Sequence, residues 1–312
     1  MAEPLRVLSI DGGGIRGIIP ATVLADLELR AGRPVAELFD LVAGTSTGGI
    51  LALGLTAPGD GGSPGWAAQD LVDLYVREGP RIFKRSVFDR IRSVEGALDE
   101  KYPSDGLVEV LHESFGELRL REALADVLVT AYDTVSRTPF FFRSSRARTD
   151  AAQDWLLRDA AHATSAAPSY FEPVQLERFS LVDGGVFAAN PSMCALAEVL
   201  RVREPHEVLL VSVGTGQQTR PLPWAKVRDW GALEWARPII DILLDGQSDT
   251  VDFQARQVLE GSYWRIQTEL RRASDDLDDA SEENLRLLQE EGNALVEGEA
   301  ETLAMLAEAL KA

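Results

Sequence analysis

The sequence predicts an α/β protein built on a mostly parallel sheet covered by helices. Three observations carry that expectation. Arg6-Val7-Leu8-Ser9-Ile10 is a β-rich run that enters the glycine loop Asp11-Gly12-Gly13-Gly14-Ile15-Arg16-Gly17, and Ile18 to Leu29 then shows helical spacing, with Pro20 near its first turn. Leu38 to Thr45 is a second apolar strand, ending at Ser46, with a helix from Thr47 to Leu55. Val208 to Val213 is a third, ending in Gly214-Thr215-Gly216. Successive strand-loop-helix units need crossover connections, which give parallel strands with helices on the faces.

The 312 residues, 45% of them hydrophobic, suffice for one large α/β domain, and no linker or repeat divides 1–312. Cys194 stands alone, which excludes an internal disulfide and fits a reducing compartment. The opening Met1 to Arg6 has no basic region followed by a long apolar run, and no stretch approaches about 18 uninterrupted apolar residues. A cytoplasmic chain without signal peptide or transmembrane segment is expected. The net charge of −19 argues against a nucleic-acid partner, because phosphate binding needs clustered Lys and Arg. Residues 273–312 form an acidic C-terminal helical segment, with twelve acids against Arg286 and Lys311, and read as a solvated terminal helix with an acidic first turn.

Between these landmarks, Pro58 to Gly65 is a surface loop, followed by a helix with Leu71, Leu74 and Tyr75 on one face. Arg81 to Arg92 is a basic and apolar island, read as a loop packing its aromatics inward, with a membrane- or substrate-facing role as the alternative. Ser104 to Phe115 and Leu120 to Ala125 read as helices, Val127 to Tyr132 and Pro139 to Arg143 as strands, and Ala151 to Ser165 as an alanine-rich helix halted before Pro168. Phe140, Phe141 and Phe142 are expected in the core, with lining for an apolar substrate as the alternative. Phe179 to Val182 is a strand ending at Asp183-Gly184-Gly185, and Asn190 with Pro191 opens the next helix. A long helix is expected from about Arg237 to Leu259, a last strand from Ser262 to Gln267, and helices from Ser281 onward.

Three strand ends thus carry unusual chemistry: the triple glycine with Arg16, Ser46 in Gly44-Thr45-Ser46-Thr47-Gly48, and Asp183-Gly184-Gly185. In an open parallel sheet such ends lie along one edge, where ligands bind. A G-x-S-x-G turn exposes a serine hydroxyl, and the flanking glycines let backbone pass close by. Gly12, Gly13 and Gly14 can present successive backbone N–H groups to an oxyanion, with the charge of Arg16 beside them. Of His112, His162 and His206, only His206 follows in Ser-Asp-His order, and it starts a strand, facing the wrong edge. Asp183 is therefore the better base for Ser46, since desolvation raises the basicity of a carboxylate. Taken alone, Asp183 would be a turn aspartate before two glycines. Asp11 is read as a structural acid that orients the glycine loop.

Two other readings stand beside this one. Gly12-x-Gly14-x-x-Gly17 also fits a dinucleotide fingerprint, but Asp40, the acid at about the required distance, starts its strand instead of ending it. Asp275 to Glu283 has carboxylates without the glycine that a calcium loop requires at its sixth position, and no metal cluster is seen.

The three blocks, in this order, resemble the signatures of the patatin-like lipid acyl hydrolases, a family related to cytosolic phospholipase A2. The likeness extends through Val7 to Ala21, Ser165 to Pro173, Leu210 to Gly216, Phe253 to Arg256 and Asp278 to Leu288, and so spans nearly the whole chain. It implies a three-layer α/β/α fold and hydrolysis of phospholipid or galactolipid acyl esters, with peripheral membrane contact and without metal or cofactor. It also implies Ser46 as nucleophile, Asp183 as base, and Gly12, Gly13, Gly14 and Arg16 as the oxyanion site. Arg16 stands where plant patatins often have lysine, which keeps the charge. The missing signal peptide favours a bacterial setting, and a storage or binding protein with little turnover is the alternative the resemblance leaves.

Overall fold

The expected units are present in the computed structural model, which describes residues 4–83, 104–217, 221–235 and 238–311. The strands are β1 (Leu5–Ile10), β2 (Leu41–Thr45), β3 (Asp126–Asp133), β4 (Thr138–Arg143), β5 (Val174–Leu176), β6 (Phe179–Asp183), β7 (Val208–Val213) and β8 (Tyr263–Ile266). They form one sheet, hydrogen-bonded neighbour to neighbour along the path β5-β6-β3-β2-β1-β7-β8, with β4 also paired to β3. The segment β3-β2-β1-β7-β8 is parallel throughout, whereas β4 and β6 run antiparallel to β3 and β5 antiparallel to β6.

Helices of eight or more residues are numbered in chain order as α1 (Ile18–Ala31), α2 (Thr47–Thr56), α3 (Ala68–Ile82), α4 (Asp105–Phe115), α5 (Leu157–Ser165), α6 (Ser192–Val199), α7 (Pro238–Leu259), α8 (Glu282–Gly298) and α9 (Ala300–Lys311). They cover both faces. Leu8, Ile10, Val42 and Val211 pack toward α1, α3, α8 and α9, and Val127 and Val129 beside them toward α4 and α5. Val7, Leu41, Ala43 and Leu210, one residue out of phase, pack toward α6 and α7. Burial on both faces is why these strands read as near-continuous apolar runs. No helix among the described residues is long and apolar enough to cross a membrane.

Several expected boundaries move, each for a local reason. Pro34 starts a single turn, Val35–Leu38, that buries Val35 and Leu38, so β2 begins at Leu41 and not at Leu38. Leu120 to Ala125 contains only the short turn Leu120–Glu122. The expected helix from Ala151 is broken: a turn at Ala151–Gln153 is followed by Asp154, whose buried carboxylate accepts the Arg121 N–H at 3.1 Å, and α5 starts at Leu157. α6 starts at Ser192, one residue beyond Pro191, with the Asn190 side chain accepting the Ser192 N–H at 2.9 Å.

The acidic C-terminal segment is not a solvated appendage. α8 and α9 bury Leu285, Leu288, Leu295, Leu303, Leu306 and Leu310 in the cluster that holds α1, while most of their carboxylates face outward.

The register of β3 fixes how the chain's two key turns meet. β4 pairs with β3 from Leu128 to Asp133 and therefore occupies one edge. β2 pairs with Asp126 to Thr130, and β6 with Ala131 to Asp133, so both must lie on the other edge. Thr45 lies opposite Thr130, and Asp183 opposite the next residue, Ala131. The carboxyl ends of β2 and β6 thus meet head to head. The expectation of parallel strand ends holds for the glycine loop and Ser46. It fails for Asp183, which arrives on an antiparallel strand entering from the other direction.

The C-terminal packing has a direct test. Leu288→Ala and Leu306→Ala, both at fully buried positions, should each cost about 2–5 kcal/mol in urea unfolding, whereas Leu29→Ala, at an 82% exposed position of α1, should stay within about 0.5 kcal/mol. Equal losses at all three would contradict a core role for the acidic segment.

Candidate active site

Ser46 sits between β2 and α2 with φ 55° and ψ −125°, a region a side-chain-bearing residue enters only when its surroundings force it. The forcing is visible in the flanking glycines. A Cβ on Gly44 would lie 2.1 Å from the Gly48 carbonyl oxygen, and one on Gly48 would lie 2.2 Å from the Ile10 carbonyl oxygen. Only glycine permits the first turn of α2 to press against the ends of β1 and β2. Thr45 Oγ1 lies 2.7 Å from Thr130 Oγ1 and 2.7 Å from the Ala188 carbonyl oxygen, tying the turn to β3 and to the chain beyond Asp183. The Ser46 N–H donates to Thr164 Oγ1 at 2.8 Å, and the buried Tyr75 hydroxyl pairs with Thr47 Oγ1.

Asp183 is 5% exposed. Its Oδ1 accepts the Gly185 N–H at 2.7 Å, and it lines the same cavity as Ser46. Burial raises its pKa to about 6, with the nearby Ser46 hydroxyl and the Gly185 N–H holding it from going higher. A serine hydroxyl and a carboxylate of raised basicity therefore line the same cavity, at strand ends that meet on β3.

The glycine loop lies beside them and is braced from three sides. Thr215 Oγ1, past the end of β7, donates to the Gly12 carbonyl at 2.7 Å. The Leu277 carbonyl accepts the Ile15 N–H at 2.9 Å and sits where a Cβ on Gly14, at φ +58°, would fall 2.1 Å away. Arg16, 6% exposed, donates from Nε to the Gly13 carbonyl at 3.3 Å and from Nη1 to the Gly216 carbonyl at 3.4 Å. The Gly12 N–H already donates to the Ala189 carbonyl at 2.9 Å, which commits one of the three expected donors. Asp11 forms a two-pronged pair with Arg265 of β8, at 3.0 and 2.6 Å, and anchors the start of the loop.

These groups form the floor of a cavity of about 440 Å3. Its walls are apolar, with Ile15, Ile50, Ile82, Phe83, Leu107 and Phe171 prominent, and Val186, Leu243 and Gln247 also line it. Of the basic island, Ile82 and Phe83 face this cavity and Arg81 is paired with Glu78, Glu109 and Glu113; residues 84–92 lie outside the described residues. Phe140 and Phe142 stack with Trp155 and Phe179, away from the cavity, as the core reading expects.

None of the three histidines lines the cavity. His206 is exposed in the turn Pro205–Glu207 that precedes β7, at the opposite edge, and His112 is exposed on α4. His162 is half-buried on α5, and burial lowers its pKa. Asp40 precedes β2, where it accepts the Arg6 N–H at 2.7 Å, and so lies at the opposite edge from the glycine loop. That leaves the dinucleotide pattern without its ribose acid.

Sequence reasoning missed Tyr75, Thr164, Arg265 and Leu277. Arg265 alone left a mark: it is a cation within the short strand β8. Leu277 contributes a carbonyl, which any residue could supply.

Residues 8–196 match the family model described as patatin-like phospholipase. The chain is similar to Patatin-like protein 2 of Oryza sativa subsp. indica, at 35% identity over 94% of this chain and 84% of that relative. It is 32% identical to a Solanum tuberosum protein named Probable inactive patatin-3-Kuras 1, over 95% of this chain and 87% of the relative. Among solved structures, VipD from Legionella pneumophila aligns over 95% of this chain and 67% of that one, at 12% identity and a TM-score of 0.41.

Holding an ionised Asp183 in this floor costs stability, and the sign follows from linkage. Its folded pKa, about 6, lies above the unfolded value near 3.9, so the neutral form is favoured on folding and stability falls as pH rises through this window. Asp183→Asn, which never ionises, should gain on the order of 3 kcal/mol over the parent at pH 8 and under about 1 kcal/mol at pH 4. Denaturant unfolding at the two pH values measures this, and a gain independent of pH would show that the carboxylate is not desolvated.

Proposed function

The chain belongs to the patatin-like phospholipase family, and on that footing we propose that it hydrolyses lipid acyl esters through a dyad of Ser46 and Asp183. The observation that carries this reading is the placing of a strained, half-buried serine and a buried carboxylate together on the floor of an apolar cavity.

In the proposed reaction Ser46 Oγ attacks the ester carbonyl carbon while Asp183 takes the hydroxyl proton. The resulting oxyanion is met by the N–H groups of Gly13 and Gly14, the two glycines of the loop left as donors once Gly12 is bound to Ala189. Arg16 contributes by holding the Gly13 carbonyl, which turns that peptide's plane, and by leaving positive charge behind the loop. Collapse of the intermediate breaks the bond to the leaving alcohol, which receives the proton from Asp183. Water then attacks the acyl-enzyme, gives its proton to Asp183, and the proton returns to Ser46 as the fatty acid departs. The apolar walls suit a hydrocarbon chain, which supports a lipid ester over a small polar one. No step needs a histidine, a metal or a cofactor.

Hydrolysis of p-nitrophenyl butyrate and of phosphatidylcholine by the purified chain tests the assignment. Ser46→Ala and Asp183→Asn should each lower kcat/KM by roughly 1,000-fold or more, while His206→Ala stays within about twofold of the parent. Because the base must be ionised, kcat/KM should rise with pH, reach half its plateau near pH 6 and level off above about pH 7. Parental rates in either dyad variant would sink the mechanism, and a collapse in the His206 variant would restore a triad.

A further inference from the structure

The outward face of α7 has the wrong chemistry for a helix surrounded by water. Its inner face is set by Ala255 and Leu259, both buried, and by Ser248, which hydrogen-bonds Asp11. On the opposite side, Ile239, Ile242, Leu243, Gly246, Thr250 and Phe253 recur at spacings of three and four, which places them on one stripe. Ile239 is 40% exposed, Ile242 41%, Leu243 55% and Phe253 64%. A solvent-facing stripe normally carries charge, and this one carries none over about 21 Å of helix.

The stripe is continuous with the mouth of the cavity. Leu243 belongs to both, Leu244 on the next position lines the cavity, and Val186, 41% exposed, lies beside them. Gln247 bridges the two segments by donating to the Val186 carbonyl at 3.3 Å. An apolar path therefore runs from the surface of α7 to Ser46. We propose that this stripe is the face on which the protein docks to a lipid surface, with the hydrocarbon of the aggregate covering Ile239, Ile242 and Phe253 while a substrate chain passes by Leu243 into the cavity. This rests on the lipid-ester reading of the site.

Charge selects the kind of surface. The stripe holds no Lys or Arg, Asp245 and Asp249 line the same mouth, and the whole chain carries −19. Attraction to anionic lipid needs clustered cations, which the described residues of this stripe do not supply. The contact is made by apolar burial alone, so the surface it fits is zwitterionic or uncharged.

The experiment separates docking from turnover by measuring vesicle binding on the full chain carrying Ser46→Ala. Cosedimentation with phosphatidylcholine vesicles should be insensitive to salt between 0.05 and about 0.5 M, and weaker with phosphatidylglycerol vesicles. Adding Ile239→Gln, Ile242→Gln and Phe253→Gln together should lower the phosphatidylcholine partition coefficient roughly tenfold or more. With Ser46 restored, the same triple variant should hydrolyse dissolved p-nitrophenyl butyrate within about twofold of the parent, which also reports that it folds, and should lose vesicle hydrolysis in step with binding. A control triple at exposed apolar positions elsewhere, Leu29→Gln, Val202→Gln and Met305→Gln, should leave partition unchanged. The proposal is overturned if the α7 variant binds vesicles as the parent does, if the control triple loses binding equally, or if binding requires phosphatidylglycerol and disappears in salt. It is also overturned if the stripe substitutions only dissociate a dimer in light scattering. Loss of ester hydrolysis in the parent itself would instead count against the function proposed above, since binding is read without turnover.

Discussion

Everything at the candidate site depends on one shared edge of β3. A strand has two edges, and β4 takes one of them, so β2 and β6 must divide the other. β2 ends at Thr45, opposite Thr130, and β6 at Asp183, opposite Ala131, with no residue of β3 to spare between them. Two backbones running toward each other cannot both continue in line, and each must leave the sheet where they meet. β2 leaves through the Ser46 turn and β6 through Gly184 and Gly185. The approach of Ser46 to Asp183 is thus a result of strand register before it is one of side-chain chemistry. The Thr45, Thr130 and Ala188 hydrogen bonds then lock the junction against sliding, since a one-residue slip would turn every side chain of the strand to the other face.

The energetics run against local stability. A strained φ at Ser46 costs about 1–3 kcal/mol, and the buried carboxylate of Asp183 adds a pH-dependent term. Further buried charge lies nearby in Asp11 and Arg265, whose side chains are 5% and 6% exposed. That pair is tolerable because each partner is multiply satisfied: Arg265 reaches both oxygens of Asp11 as well as Ser212 and Ser248, so little hydrogen-bonding capacity is stranded. The offset comes from a sheet buried on both faces and from the leucines of α8 and α9 packed on α1. A site of this kind needs a large core around it, and the acidic C-terminal helices belong to that core.

The sequence made the parallel strands legible because burial on both faces leaves unbroken apolar runs, and it made the three blocks of the candidate site legible because sharp turns demand glycine. It could not reveal the direction of β6. Phe179 to Asp183 has the same apolar pattern whichever way the strand runs, and its orientation depends on β5 and on the edge that β2 leaves open. Backbone contacts were equally silent. Leu277 supports the glycine loop with a carbonyl, and the Gly12 N–H is taken by the carbonyl of Ala189, neither of which leaves a trace in residue type. The acidity of residues 273–312 pointed to solvent because charge dominates a composition, while the leucines that decide the packing recur only once per turn.

A proposed dyad without histidine has a physical consequence for substrate choice. A carboxylate in water is too weak a base for an alcohol, and Asp183 gains basicity only to the extent that water is kept away from it. The walls that exclude water are Ile15, Ile50, Ile82, Phe83 and Phe171, the same surfaces that an acyl chain would cover. In the proposed reaction, binding a long chain fills the cavity, strips the remaining solvent from the dyad and strengthens both the base and the oxyanion hydrogen bonds. A short polar ester would leave water in place and gain neither effect. Selectivity for hydrocarbon chains and activation of the base then arise from one apolar surface, and a His-free dyad is better matched to lipid esters than to small soluble ones.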